Sequence, residues 1–195
     1  IDDGVGKILA KLDELEIADD TIVVFTSDHG ELLGDHGLYL KGPTPYEGLL
    51  RIGMIMRGPS IPAGRAIVDP VSTLDLAASF YDWAGVSAPA ELQSRSLRPL
   101  LNGSNGGHDV AYSEWDLHPS RAGVALNLRT VRTNSAKLSV DLKSGAGELY
   151  DLAEDPQEMV NRFDDPGVKA LQKELTEMIH ARPGEIMVDR PENEA

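Results

Sequence analysis

Hydrophobic residues in the first part of the chain switch from helical to strand-like spacing. Apolar residues recur every three or four positions from Ile1 to Leu15, which predicts an amphipathic helix over residues 1–17. The run TIVVFT (21–26) is continuously apolar and β-branched, as in central strands of parallel sheets. LLRIGMIM (49–56) predicts a second strand. A helix that leads into a buried strand is half of an α/β repeat, so this part predicts an α/β sheet domain.

The next segment, VSTLDLAASFYDWAGV (71–86), predicts a second helix that Ser72 or Thr73 caps and Gly85 ends. Asp75 is expected to serve the first turn of this helix. The predicted buried side consists of apolar residues: Leu74, Ala77, Ala78, Tyr81 and Trp83.

The pattern changes after residues 101–107 (LNGSNGG), which form the best linker candidate. Short strand-like runs separated by turns then predict an antiparallel meander. These runs cover residues 110–115, 124–133, 137–142 and 148–152. An amphipathic helix follows, with apolar residues from Val168 to Ile179. The pattern therefore divides the chain into the tail of an α/β sheet domain (1–105) and a small α+β subdomain (106–195) of a meander and a C-terminal helix.

Composition narrows the classes of partner. The 195 residues carry a formal net charge of −14, from 32 acidic and 18 basic residues, which argues against nucleic acid or an anionic membrane as partner. No apolar run approaches the ~18 residues of a membrane-spanning helix. The absence of Cys excludes disulfides, thiolate metal sites and a Cys nucleophile within the chain, and is compatible with a reducing, cytoplasmic compartment. Homo-oligomer formation stays open.

Chemistry-bearing residues gather in SDHGELLGDHGLYLK (27–41), directly after the first predicted strand. Ligands in open α/β sheets bind beyond the carboxyl ends of strands. Asp28 and His29 there offer an oxygen and a nitrogen donor to one divalent cation. Two ligands are too few, so others must come from elsewhere. The alternative is that Asp28 forms a turn and His29 is an ordinary loop histidine.

His36 and Lys41 are the other catalytic candidates in this loop. A histidine can donate a proton to a leaving oxygen, whereas a lysine places positive charge against an oxyanion of the substrate. Glu31, Asp35 and Glu47 are interpreted as loop acids that partner the histidines or the lysine. For each candidate, an ordinary solvated side chain is the competing interpretation.

The segment TIVVFTSDHGELLGDHGLYLK (21–41) resembles the late metal-binding segment of sulfatases and phosphonate monoester hydrolases, in the alkaline phosphatase superfamily. The similarity continues in the family's order through GMIMRGPSIPAGR, VSTLDLAASFYDWAGV, SLRPLLNG, RTVRTNSAKLSVDL and GELYDLAEDPQEMVN. The resemblance implies an alkaline-phosphatase-like sheet domain. It implies metal ligation by Asp28 and His29, contact of Lys41 with sulfate or phosphoryl oxygens, and a position of His36 near the leaving group. Ca²⁺ is the implied ion, with Mn²⁺ or Mg²⁺ as alternatives.

The chain also departs from the family pattern. The family nucleophile lies in an earlier C/S-x-P-x-R motif and is converted in many members to formylglycine. Here Ser60–Arg65 (SIPAGR) places the arginine one residue too late, in a predicted turn. The chain also starts within a helix and without Met, so we predict the C-terminal fragment of a metal-dependent sulfatase that acts on small anionic esters. Its formylglycine is expected in the missing N-terminal segment, and the fragment alone is expected to be inactive. Alternatives are a phosphonate monoester or phosphodiester hydrolase, or a noncatalytic module.

Overall fold

The computed structural model describes residues 1–104, 107–119 and 123–184, and combines helices with two antiparallel sheets. The α-helices are α1 (Asp2–Glu14), α2 (Glu47–Leu50), α3 (Leu74–Trp83), α4 (Arg98–Leu101) and α5 (Lys169–His180). The strands are β1 (Val23–Thr26), β2 (Met54–Arg57), β3 (Ala111–Leu117), β4 (Leu126–Arg132), β5 (Ala136–Asp141) and β6 (Gly147–Asp151). Short 3₁₀ turns lie at Ala18–Asp20, Asp35–Gly37 and Pro166–Val168.

The C-terminal sheet is an antiparallel meander in the order β3-β4-β5-β6, and this confirms the predicted α+β part. Leu138 of β5 lies between Val131 of β4 and Leu149 of β6 in register, and all three are fully buried. They form one core with Leu175 and Ile179 of α5. Side chains alternate between the faces of a strand, so one face of the sheet packs on the helix.

The opposite face of this sheet is polar but also buried. Thr130 of β4 and Ser139 of β5 face each other in register, and their hydroxyls lie 2.9 Å apart. Lys137, next along the same face of β5, is 1% exposed. This face is turned towards residues 42–50, since Lys137 and Arg132 both contact that segment. The sheet thus connects the apolar core under α5 to the loop that precedes α2.

The small sheet differs from the predicted parallel arrangement, because β1 pairs with β2 in antiparallel register. Within the described residues no further strand joins this pair. Phe25 and Ile55 are direct cross-strand partners and remain 47% and 68% exposed. The described part of α1 buries none of its residues. A two-stranded sheet of this kind is marginally stable alone.

The second predicted strand, residues 49–56, is wrong in its first half. Residues Glu47–Leu50 form a helical turn in which the Tyr46 carbonyl accepts from the amides of Leu49 and Leu50. Leu49 is buried by this turn, and strand pairing starts only at Met54. Continuous apolar character does not separate a buried strand from a buried helical turn.

The buried side of helix α3 agrees with the predicted one at Ala78 but not at Leu74. Leu74 is 61% exposed, whereas Asp75, Ala78 and Ser79 are buried. Asp75 does serve the first turn, since its Oδ2 accepts a hydrogen bond from the Ser72 amide at 2.9 Å. The helix is therefore anchored by a polar pair rather than by a wholly apolar stripe. None of the helices in the described residues has the length and apolarity to cross a bilayer.

Candidate functional site

Three of the residues predicted from the sequence meet beyond the end of β1. The side-chain carboxylate of Asp28 (Oδ2) lies 3.5 Å from Nε2 of His29. The Lys41 ammonium (Nζ) lies 2.7 Å from the same nitrogen. The loop that follows β1 folds back on itself, so that Lys41 contacts His29, which lies 12 residues earlier in the sequence. We call Asp28, His29 and Lys41 the polar triad.

The hydrogen bonds of His29 define its tautomer. Its Nδ1 lies 2.7 Å from the Gly30 carbonyl oxygen, which can only accept, so Nδ1 carries the proton. Nε2 then has a free lone pair, which accepts a hydrogen bond from Lys41. A lone pair on one nitrogen, with the other nitrogen held by a carbonyl, is the arrangement of metal-ligating histidines.

The donor atoms at the polar triad are of the type that binds a divalent cation, but there are too few of them for a complete site. One carboxylate and one imidazole suit Ca²⁺, Mn²⁺ or Mg²⁺ as part of a larger set of ligands. In residues 1–104, 107–119 and 123–184, no group of three or more His, Cys, Asp or Glu could hold a metal ion. Asp28 also keeps 86% of its side chain exposed, which leaves room for further ligands.

Backbone packing holds the loop after His29. The amide of Gly30 donates to the Leu49 carbonyl of α2 at 2.8 Å. A Cβ at position 30 would overlap the carbonyl oxygen of Gly48. Only glycine allows this close approach of two backbones. The His29 end of the polar triad is therefore fixed to α2.

His36 occupies a different environment. Its ring stacks on Tyr46 with centroids 3.8 Å apart and an angle of 10° between the planes. Its Nε2 is buried without a hydrogen-bond partner and lies 4.0 Å from Asp35. Its φ of 51° places the backbone in the left-handed region. The described hydrogen bonds and ion pairs do not connect His36 to the polar triad, and its catalytic role stays a prediction.

An open cavity of about 1780 Å³ contains the polar triad in its wall. The same wall includes Tyr112 and Trp115 of β3 and Arg132 of β4. Side chains of the C-terminal sheet therefore face the same space as Lys41. Trp115 is 38% exposed, so it presents aromatic surface to solvent.

A buried charged cluster next to this cavity was not predicted from the sequence. Lys137 forms an ion pair with Glu158, and Arg132 forms one with Glu47 at 3.1 Å. Burial lowers the pKa of Lys137, while the carboxylates of Glu158 and Glu47 act in the opposite direction. Lys137 alternates with apolar residues in AKLSVD, which is typical of a solvent-facing strand position. No signal in the sequence shows that another segment covers this face.

Two aromatic hydroxyls lie beside the charged cluster. The Tyr46 hydroxyl donates to Glu148 at 3.4 Å. Burial, and then the negative charge of Glu148, raise the pKa of both Tyr46 and Tyr150. Both hydroxyls therefore stay protonated at neutral pH and act as hydrogen-bond donors.

A second missed pair joins Asp75 of α3 to His108. His108 Nε2 lies 3.0 Å from Asp75 Oδ1, and the Arg95 amide donates to the same oxygen at 3.1 Å. Ser79 adds a hydroxyl that accepts from the Leu97 amide at 2.8 Å. These contacts fix residues 95–97 and 108 to α3. Asp75 thus has a structural function in the described chain.

Comparison with known proteins identifies sulfatases and a phosphonate monoester hydrolase as relatives. N-acetylglucosamine-6-O-sulfatase of Bacteroides thetaiotaomicron is 32% identical over 189 residues, which cover 92% of this chain and 33% of that protein. A protein solved in complex with its substrate D-glucosamine-2-N,6-O-disulfate matches with a TM-score of 0.79 and 31% identity, over 92% of this chain and 37% of the other. The phosphonate monoester hydrolase of Agrobacterium radiobacter matches with a TM-score of 0.80 and 30% identity, over 90% and 37%.

These similarities define the class of protein as the sulfatases, with phosphonate monoester hydrolases as structural neighbours. The chain belongs to the N-sulphoglucosamine sulphohydrolase, C-terminal family, whose model matches residues 34–183. The predicted resemblance to sulfatases is confirmed. The match contains His36 and Lys41 and starts after Asp28 and His29. The chain spans about a third (33%) of the length of the first curated relative.

Proposed function

We propose that this chain is the C-terminal portion of a metal-dependent sulfuric ester hydrolase and supplies half of its active site. The observation that carries the proposal is the convergence of Asp28, His29 and Lys41 at one point. The sulfatases among the relatives support a sulfate ester as substrate. Because the chain covers only 33% of the first curated relative, the remaining groups are assigned to another part of the parent protein.

Asp28 and His29 are the proposed ligands of a divalent cation, Ca²⁺ in the first instance and Mn²⁺ or Mg²⁺ as alternatives. When bound, such an ion neutralises charge on the non-bridging oxygens of the ester. The Nε2 lone pair of His29 can serve only one partner at a time, Lys41 or a cation. With a cation held by His29, the Lys41 ammonium would stay beside the site and be free to donate to an oxygen of the anionic ester.

The nucleophile is proposed to lie outside this chain. The sequence has no Cys, so a formylglycine derived from Cys must come from an N-terminal segment of the parent. His36 is the proposed proton donor to the departing alcohol oxygen. Its Nε2 makes no hydrogen bond within the described residues and lies 4.0 Å from Asp35, which supports a role for this nitrogen in the complete site. The 195-residue chain alone is expected to show no turnover.

The test uses the parent protein and the single variants Asp28→Ala and Lys41→Ala. Each is expected to lower kcat/KM for 4-nitrophenyl sulfate by roughly 100-fold or more, because each removes charge stabilisation of the transition state. Lys173→Ala is the matched control, since Lys173 is an exposed lysine of α5 far along the chain. Variants with the turnover of the unmodified protein would remove the assigned roles.

A phosphonate monoester hydrolase is the second candidate function. The structural match to the Agrobacterium radiobacter enzyme favours it, and both substrate groups are tetrahedral oxyanions. The ratio of kcat/KM for a nitrophenyl sulfate to that for a phosphonate monoester distinguishes the two. A folded parent without activity on either ester would instead support a noncatalytic module.

A further inference from the structure

The buried face of the C-terminal sheet carries a pair of opposite charges, Lys137 and Glu158. The two residues are 1% and 3% exposed. They lie far in sequence from the polar triad, on β5 and on the loop after β6. We call this pair the buried clamp, because Lys137 binds the backbone of the loop after Lys41 and Glu158 binds the first backbone amide of α2.

The contacts of the buried clamp converge on two backbone groups. Lys137 Nζ forms an ion pair with Glu158 and donates to the Pro45 carbonyl oxygen at 2.5 Å. Glu158 accepts a hydrogen bond from the Glu47 amide through Oε2 at 2.6 Å. Arg132 adds an ion pair to the Glu47 side chain. Residues 45 and 47 are thus held from the second part of the chain.

The segment between the buried clamp and Lys41 is short and partly restrained. Residues 42–45 read GPTP, in which each proline fixes φ near −65° and Gly42 keeps the freest dihedral angles. With only residues 42–44 between them, a displacement of Pro45 limits the positions that Lys41 can reach. On the other side, α2 starts at Glu47 and carries the Leu49 carbonyl that holds Gly30, next to His29.

Stability alone does not explain the buried clamp. Burying an ion pair costs desolvation free energy, which the attraction between the two charges offsets only with good geometry. Apolar residues of similar size at such a site often give equal stability. Glu158 also has a φ of 58°, in the left-handed region that non-glycine residues rarely adopt. The buried ion pair and the left-handed backbone of Glu158 are both explained if they serve to fix the position of residues 45–47.

We propose that Lys137 and Glu158 are positioning residues that place Lys41 against His29, and so align the anion-binding lysine with the metal-binding pair. The proposal rests on the proposed function for the roles of Lys41 and His29. Through residues 42–45 the buried clamp sets the position of Lys41. Through α2 and Gly30 it sets the position of His29. Lys137 and Glu158, which do not line the cavity, thereby act on the site without touching substrate.

The experiment measures the ¹⁵N chemical shift of His29 Nε2 in the 195-residue chain, with all variants compared at the same pH. Lys41→Ala gives the reference shift of a His29 without its ammonium partner. Lys137→Met is expected to move the resonance at least halfway to this reference. The double variant Lys137→Met with Glu158→Gln restores charge balance, so it is expected to recover stability but to keep the displaced resonance.

Asp141→Asn is the matched control, because Asp141 is a buried carboxylate of the same strand that does not contact residues 42–50. It is expected to lose stability and to keep the His29 resonance of the unmodified chain. A double variant that is folded and has the unmodified resonance would overturn the proposal, and it decides the matter if Lys137→Met alone does not fold. Since the shift does not depend on turnover, a parent inactive on sulfate esters would contradict the proposed function alone.

Discussion

At the residue scale, Asp141 shows how a single carboxylate contributes to stability. It ends β5 and is 5% exposed. Its oxygens accept hydrogen bonds from the Ser144 hydroxyl at 2.6 Å and from the Asn127 amide at 2.8 Å. These bonds favour the ionised form and lower the pKa of Asp141 from 3.8 to about 2.

This shift predicts a pH dependence of unfolding. A depressed pKa stabilises the folded state above the unfolded value of 3.8, and the contribution disappears as pH falls towards about 2. We expect a loss of about 1 to 2 kcal/mol in the free energy of unfolding over this range. Urea unfolding at several pH values measures it. Asp141→Asn is expected to remove this part of the loss, and the exposed Asp19→Asn is expected to keep it.

The sequence predicted which residues carry the candidate chemistry, but not how they are arranged. Asp28, His29 and Lys41 stand out because acids, imidazoles and an ammonium group cluster after a strand. The proton position of His29 depends on its contact with the Gly30 carbonyl, and only the folded loop defines this contact. The stacking of His36 on Tyr46 likewise requires a left-handed backbone conformation at His36, and a histidine in the sequence does not predict this conformation.

At the scale of elements, the alternation of apolar and polar residues predicted the meander well, since one face of this sheet packs in the core under α5. Continuous apolar runs were less informative. Residues 49–50 form part of α2, because the Tyr46 carbonyl and the burial of Leu49 favour a helical turn. In α3 the buried positions include Asp75 and Ser79, whose hydrogen-bond partners lie up to 33 residues away in sequence. Local patterns cannot show such partners.

The core row of the C-terminal sheet predicts a large effect of truncation. Leu138 is fully buried between Val131 and Leu149, so Leu138→Ala leaves a cavity against α5. The free energy of unfolding is expected to fall by roughly 2 to 5 kcal/mol. Chemical denaturation of the two proteins measures it. Leu142→Ala, at a position 44% exposed just after β5, is expected to change stability much less.

At the scale of the whole molecule, the two parts of the described chain are unequal in burial. The C-terminal sheet has a closed core, whereas β1, β2 and α1 leave apolar side chains such as Phe25, Ile55 and Ile8 exposed. The polar triad lies on the less covered part. Among residues 1–104, 107–119 and 123–184, its two proposed metal ligands therefore lack the neighbours that would complete a coordination sphere.

This incompleteness predicts weak metal binding by the chain itself. With one carboxylate and one imidazole, we expect a Kd for Mn²⁺ no tighter than about 1 mM. Paramagnetic broadening of the amide resonances of residues 28–30 during a Mn²⁺ titration measures it. His29→Ala is expected to abolish the broadening, and His180→Ala, at the end of α5, is expected to keep it. Equal broadening in both variants would show binding elsewhere.

The sequential order β3-β4-β5-β6 has a consequence for how the protein forms. Every pairing closes a short loop, and local topologies of this kind fold fast because little chain entropy is lost before contacts form. We expect this sheet to form as a nucleus and to offer Lys137 as a docking point before residues 42–50 settle on it. Pulse-labelling hydrogen exchange would then show protection in β5 ahead of α2. The arrangement of the polar triad would accordingly be the last feature that the folding chain acquires.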